Sequence, residues 1–302
     1  MKPKIIALVG PNASGKSELG VALAKRYGGE IVSADSRQVY RGLDLGSGKI
    51  TAAEKQGVPH HMLDICRAGD FFSMADYQRL AYGAIDAIVS RGRLPFLVGG
   101  TGLYAESVTE GYLLSNKKPD LAYRAELEEL DTGTLYGMLL RAMPEAGVDP
   151  QNRNRVMRLL ERLREGDVQP PRRERRYESL RLGTAWRREP LQERIRRRLH
   201  RRLSMGMVEE VEKLLKAGVS RDFLLGLGLE YRFITRYLEG EIVSLAELEN
   251  DLFIAIRQLA KRQMTWFRRD EGIRWLNMEG DPLSEAMALI DAFMARPPQS
   301  GQ

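Results

Sequence analysis

The 302-residue chain has only one cysteine and three histidines. Cys66 has no partner for an internal disulfide, which fits a reducing cytoplasm, and it reads as a packed small side chain and not a nucleophile. So little Cys and His argues against a zinc site. The pair His60-His61 does not change this, because neighbours in a strand point to opposite faces. No apolar run is long enough to cross a bilayer, so no membrane partner is expected. The opening run, Ile5 to Val9, is too short for a signal peptide's hydrophobic region, and no small-residue cleavage site follows. The expected location is cytoplasmic. Apolar residues make up 43% and charged residues 29% of the chain, a globular composition with material for a sizeable core.

Charge of one sign is scarce overall but locally dense. The net charge is +6. Between Arg187 and Arg202 stand eight arginines and two glutamates, and between Arg153 and Arg176 nine arginines and four acids. The rest of the chain is slightly acidic. Two such concentrations suit a polyanion surface. Solvated helix faces laced with salt bridges are the alternative.

The organising stretch is Gly10-Pro11-Asn12-Ala13-Ser14-Gly15-Lys16-Ser17. An apolar strand precedes it, and a helical pattern from Glu18 to Tyr27 follows. It fits the phosphate-loop template at every fixed position. Glycines let several N–H groups face one anion, and the helix N-terminus adds a positive dipole end. Lys16 can reach the outer phosphate, and the Ser17 hydroxyl can ligate a magnesium ion bridging phosphate oxygens.

A second strand, Glu30 to Ser33, ends at Ala34-Asp35-Ser36. Asp35 is a candidate magnesium ligand or general base beside the loop; a helix cap is the plainer role, which Ser36 could fill equally well. In Gly42 to Lys49, Lys49 reads equally as a phosphate contact or a surface lysine. Pro59 to Ile65 reads as a strand entry and Phe72 to Ser90 as a helix capped by Ser73. A third strand, Leu94 to Val98, ends in Gly99-Gly100-Thr101, where phosphate-loop NTPases commonly place a metal-holding Asp. Glycines admit a substrate close to the backbone, and Thr101 offers it a hydroxyl.

Beyond Leu114 the pattern turns helical. Short helices are expected over Tyr123 to Leu130, Thr134 to Met143 and Arg155 to Arg164, with Gln169-Pro170-Pro171 as a break. Tyr177 to Leu182 alternates like a strand returning to the first sheet. Leu191 to Leu215 reads as one long amphipathic helix on which Arg194 and Arg198 share a face. Phe223 to Leu229 reads as loop or strand. Ser244 caps a long helix through Trp266, whose arginines beside Trp266 and Phe267 suit unpaired bases or a snorkelling rim on an aromatic core. Arg274 to Met278 and Leu283 to Ala295 add a strand and a helix. The expected architecture is α/β: a phosphate-loop parallel sheet flanked by helices, spanning 1–114 and 177–296. Residues 115–176 form an inserted helical domain, and 297–302 a disordered tail.

Six ordered stretches resemble the bacterial tRNA dimethylallyltransferases, also called isopentenyl-diphosphate:tRNA transferases. They are Gly10 to Ser17, Asp35 to Asp44, Pro59 to Asp64, Leu97 to Thr101, Tyr237 to Glu241 and Arg257 to Trp266. The resemblance implies a nucleotide-kinase-like fold with a helical tRNA-binding insertion. It implies transfer of a dimethylallyl group from dimethylallyl diphosphate to N6 of the adenine 3′ of the anticodon, at position 37, with Mg2+ as cofactor. Partners are then the tRNA anticodon stem-loop and dimethylallyl diphosphate, with the enzyme a monomer. By the same carry-over, Gly10, Pro11, Asn12, Ala13, Ser14, Gly15, Lys16 and Ser17 hold the diphosphate, Ser17 also the metal. Asp35 is the base, Thr101 its companion and Arg198 the diphosphate arginine. Contacts on tRNA fall to Asp35, Ser36, Arg37, Gln38, Thr101, Arg124, Asn154, Arg155, Val156, Met157, Arg158, Lys261, Arg262, Gln263 and Arg268. The chain departs from the pattern at Glu230, where the family often has Gly before the Tyr-Arg pair, and it matches weakly around Asp149 to Asn154. The competing readings are a phosphate-loop kinase of a small molecule and a nucleic-acid-binding nucleotide switch. The strand end at Thr101 disfavours both.

Overall fold

The computed structural model describes residues 2–114, 120–166 and 172–297. Lys117 to Pro119, Gln169 to Pro171 and nearly all of the expected tail lie outside the described residues. The chain divides into two units: Met1–Tyr112 with Glu174–Gln302, and Leu113–Arg173.

In the larger unit, β1 (Lys4–Val9), β2 (Glu30–Ser33), β3 (His60–His61), β4 (Pro95–Gly99), β5 (Glu178–Ala185) and β6 (Ile273–Asn277) form a parallel sheet in the order β3-β2-β4-β1-β5-β6. The chain is thus an α/β protein. Its two central strands, β4 and β1, are apolar beyond Lys4 because both faces are covered. Ile5, Ala7 and Val9 turn to one face with Val32 and Leu97, under α3 (Met74–Ser90) and α4 (Gly102–Glu106). Ile6 and Leu8 turn to the other with Ile31, Phe96 and Val98, under α1 (Lys16–Arg26) and α13 (Pro282–Met294). The short α2 (Ala52–Lys55) starts with a Thr51–Glu54 capping box. Ser73 caps α3 in a capping box with Asp76.

A third apolar cluster unites α8 (Arg188–Ser204), α9 (Met207–Lys216), α10 (Arg221–Leu227), α11 (Leu229–Leu238) and α12 (Leu245–Phe267) with Val39, Tyr40 and Leu43. Two expectations are corrected here. The stretch Leu191 to Leu215 is two helices, because Gly206 takes a left-handed φ of 96° between them. Phe223 to Leu229 is neither loop nor strand. Ser220 caps α10 by accepting from Phe223 N–H, Leu224 is buried, and Gly228 is the joint to α11.

In the smaller unit, α5 (Leu121–Glu128), α6 (Thr132–Ala142) and α7 (Arg153–Arg164) are capped by Asp120, Asp131 and Asn152. They enclose their own core of Leu127, Leu135, Leu139, Val148, Val156, Met157 and Leu160.

Candidate active site

The C-terminal ends of β1, β2 and β4 gather the chemistry, as expected of an open parallel sheet. After β1 the chain turns sharply. Gly10 has a φ of 150°, and a Cβ there would run into Thr184 Oγ1. Ala13 takes a left-handed φ of 61°. Side chains from distant elements brace this loop. Thr184 Oγ1 donates to Ser14 Oγ at 2.7 Å, and Trp186 Nε1 donates to Ser14 O at 3.0 Å. Arg194 Nε donates to Ala13 O at 3.0 Å, with its guanidinium 4.7 Å from the Trp186 ring centre. Gln263 closes a bridge: its Oε1 accepts from Asn12 N–H and its Nε2 donates to Gly100 O, both at 2.9 Å.

Lys16 folds back over the loop, donating to Pro11 O at 2.6 Å. Burial, followed by the Arg198 charge, lowers its pKa to about 7, while Asp35 pulls the other way. Ser17 is exposed, and among the described residues its hydroxyl makes no hydrogen bond.

Facing the loop is a cavity of about 660 Å³. Arg194, Arg197, Arg198, Arg201 and Arg202 line it, spaced three and four apart so that one face of α8 presents them all. Arg198 Nη2 donates to Gly48 O at 3.2 Å. Burial and then Arg202 lower the Arg198 pKa to about 10, against Glu230 and Asp35. This much positive charge with few acids suits a polyanionic group of diphosphate size.

Asp35 follows β2. No helix begins there; residues 36–39 form a turn, so the carboxylate caps no helix. Its Oδ1 accepts from Arg37 N–H at 3.0 Å, and among the described residues Oδ2 makes no hydrogen bond. Thr101, after β4, is bound to the same turn: its Oγ1 accepts from Ser36 N–H at 3.1 Å. Thr101 N–H donates to Ala34 O at 3.1 Å. Asp35 and Thr101 therefore sit together, and the Asp35 charge reaches Lys16 and Arg198.

The other sequence-selected residues fall into groups. Lys261, Arg262 and Arg268 are exposed on and just past α12, and Asn154 and Arg155 on α7. Arg124 and Arg158 are partly exposed and paired with Glu161. Val156 and Met157 need correction as contact residues. Their side chains are 0% and 3% exposed, because the amphipathic α7 turns that face into the small unit's core. Gln38 donates to Gly48 O at 3.3 Å and accepts from Ser33 Oγ. Lys49 is not a free surface lysine; it lines the same cavity as the arginines, with its ammonium clasped by Asp44, Asp64 and Tyr40 O. Phe267 is core, and Trp266 lies half-buried with Arg269 over its ring at 3.8 Å. Sequence reasoning missed Thr184 and Trp186 as loop braces. The arginine concentration from Arg187 to Arg202 and the four-residue step from Arg194 to Arg198 were the signals pointing to this wall.

A phosphate loop without a carboxylate at the end of β4, facing an arginine wall and a lone Asp, is built to hold a phosphate-bearing ligand beside a carboxylate. The IPP transferase family model matches residues 38–270, and the chain belongs to that family. It is 42% identical over 298 residues, 95% of each chain, to tRNA dimethylallyltransferase 2 of Citrifermentans bemidjiense. It is 39% identical to tRNA dimethylallyltransferase of Halalkalibacterium halodurans, over 98% of both chains. Among solved structures, the full-length tRNA isopentenylpyrophosphate transferase of Bacillus halodurans superposes with a TM-score of 0.73 at 40% identity, covering 97% of this chain and 96% of that one. A eukaryotic dimethylallyltransferase acting on tRNA shares the fold, with a TM-score of 0.80 at 23% identity over 99% of this chain and 81% of that one.

Proposed function

We propose that the chain transfers the dimethylallyl group of dimethylallyl diphosphate to N6 of the adenine 3′-adjacent to the anticodon of tRNA, releasing diphosphate. The observation that carries this reading is the phosphate loop facing five arginines, with the Asp35–Thr101 pair beside Lys16.

The chemistry follows from charge. As the allylic C1–O bond breaks, its electron pair leaves with the diphosphate, and carbon gains positive character. The loop amides, Lys16 and Arg198 stabilise the departing anion. The adenine amine attacks C1, and the N6–C1 bond forms. N6 is too weak a base to keep its proton, which passes to Asp35, whose Oδ2 makes no hydrogen bond among the described residues. Thr101 holds the Asp35 turn through Ser36. An adenine stacked in a loop reaches this depth only by flipping out. The exposed cations Arg155, Lys261, Arg262 and Arg268, with Arg124, Asn154 and Arg158, hold the tRNA backbone while base contacts select the site.

Among the described residues no three His, Cys, Asp or Glu side chains group into a metal cage. The donor in the cradle is the unpartnered Ser17 hydroxyl. That fits magnesium, which keeps waters and takes most oxygens from a substrate's phosphates. When bound there it would neutralise charge on the diphosphate.

The test is incubation of purified protein with dimethylallyl diphosphate, magnesium and unmodified tRNA, followed by nuclease digestion. Prenylated adenosine is the expected product. ATP consumption with the tRNA unchanged would replace this reading with that of a small-molecule kinase.

A further inference from the structure

Glu230, the acid at the family pattern's glycine position, is the second residue of α11 and 2% exposed. Its oxygens reach in two directions. Oε2 accepts from Arg37 Nη1 at 2.9 Å, and Oε1 from Arg202 Nη1 at 3.4 Å. Burial pushes the Glu230 carboxyl up, but Arg37, then Arg202, with a backbone hydrogen bond and Arg198, hold it below the ordinary range.

Each arginine leads to a different half of the site. Arg37 belongs to the Asp35 turn, and its own N–H binds Asp35 Oδ1. Arg202 lies one turn beyond Arg198 on α8, and its Nη2 donates to Leu45 O. The loop it grips is caught again by Glu210 on α9, whose carboxylate accepts from the N–H groups of Asp44, Leu45 and Gly46 at 3.0, 2.6 and 2.9 Å. Between Arg198, Arg202, Glu230, Asn12 and Ser47 lies a cavity of about 20 Å³, roughly one water in size. Arg202 Nε lies buried with no hydrogen-bond partner among the described residues.

A buried ion pair is a poor device for stability, since apolar replacements often do as well, but a good one for fixing register. We propose that Glu230 is a positioning residue for the transfer reaction. It ties the turn carrying Asp35 to the arginine helix facing the phosphate loop, so base and leaving-group ligands hold one alignment. This rests on the function proposed above.

Two variants test it. Glu230→Gln removes the charge and keeps the size. Arg202→Met with Glu230→Gln removes one charge of each sign, leaving no added buried charge. Three quantities are read: hydrogen exchange at the amides of residues 36–39, affinity for inorganic diphosphate, and kcat with KM for tRNA. In both variants exchange at the turn should rise about tenfold or more and kcat fall by a similar factor, since small misplacements are costly in rate. In Glu230→Gln alone, diphosphate affinity and KM for tRNA should stay within about threefold, because every cation facing the phosphate loop remains. Glu230→Asp should recover part of kcat. Unchanged exchange and kcat in either variant overturn the proposal. So does activity lost only in proportion to folded protein by circular dichroism, or failure of both variants to fold, each of which makes the role purely structural. If the wild type modifies no tRNA, the functional reading fails separately, and the exchange result still decides whether the tie exists.

Discussion

The depressed Lys16 amine makes donor binding a proton-linked event. In the free protein its pKa is about 7, with burial the main cause and Arg198 the next. A diphosphate against the ammonium restores the ordinary value near 10.5 or above. The bound state then holds a proton that the free state has largely lost above pH 7. The sign follows: affinity is full below pH 7 and falls about tenfold per pH unit above it, until the amine titrates in the complex. From pH 7 to pH 9 the protonated fraction drops from about one half to about one hundredth, a loss of roughly 50-fold, about 2 kcal/mol. The assay is calorimetry with an unreactive thiolodiphosphate analogue of the donor, at pH 8, in buffers of different ionisation enthalpy. About 0.9 proton should be taken up per site. Lys16→Met should bind more weakly at pH 7, take up no proton and lose the pH slope. An affinity flat from pH 7 to pH 9, with no proton uptake by the wild type, refutes the reasoning.

Three further outcomes are expected. Asp35→Asn should retain tRNA binding by filter assay while kcat falls about 10²- to 10⁴-fold, the usual range for a general base; undiminished turnover removes Asp35 from the mechanism. Gln263→Leu leaves Asn12 N–H and Gly100 O without their bridge. It should cost about 1–3 kcal/mol in urea unfolding and raise KM for the donor, whereas an unchanged KM means the bridge does not shape the loop. Leu139→Ala empties a fully buried position in the small unit's core. It should cost that unit about 2–5 kcal/mol and abolish tRNA modification while inorganic diphosphate still binds, since the diphosphate ligands belong to the larger unit; wild-type modification of tRNA would exclude a role for the small unit.

What could be read from residue order was whatever depends on short spacing. The phosphate loop, the strands at Ile5 and Leu94, the Ser73 and Ser244 caps and the lone Asp35 are local patterns with local causes. The failures have local causes too. Gly206 broke a helix whose apolar spacing continued straight through it, because one left-handed residue outweighs periodicity. Two glycines in Phe223 to Leu229 hid a helix that its Ser220 cap and the buried Leu224 secure. Val156 and Met157 came in with the carried-over run Asn154 to Arg158, whereas the helix turns them inward. The braces Trp186, Thr184 and Gln263 join positions some 170 to 250 residues apart, and no window of sequence can reveal such pairs.

The strand order carries a consequence for synthesis. β1 pairs on one side with β4, about ninety residues downstream, but on the other with β5, whose first partner of Lys4 is Glu178. A nascent chain emerging from the ribosome must therefore carry an open, apolar strand edge until the whole helical insertion has been translated. That open edge is where the newborn chain can pair with another copy before β5 arrives.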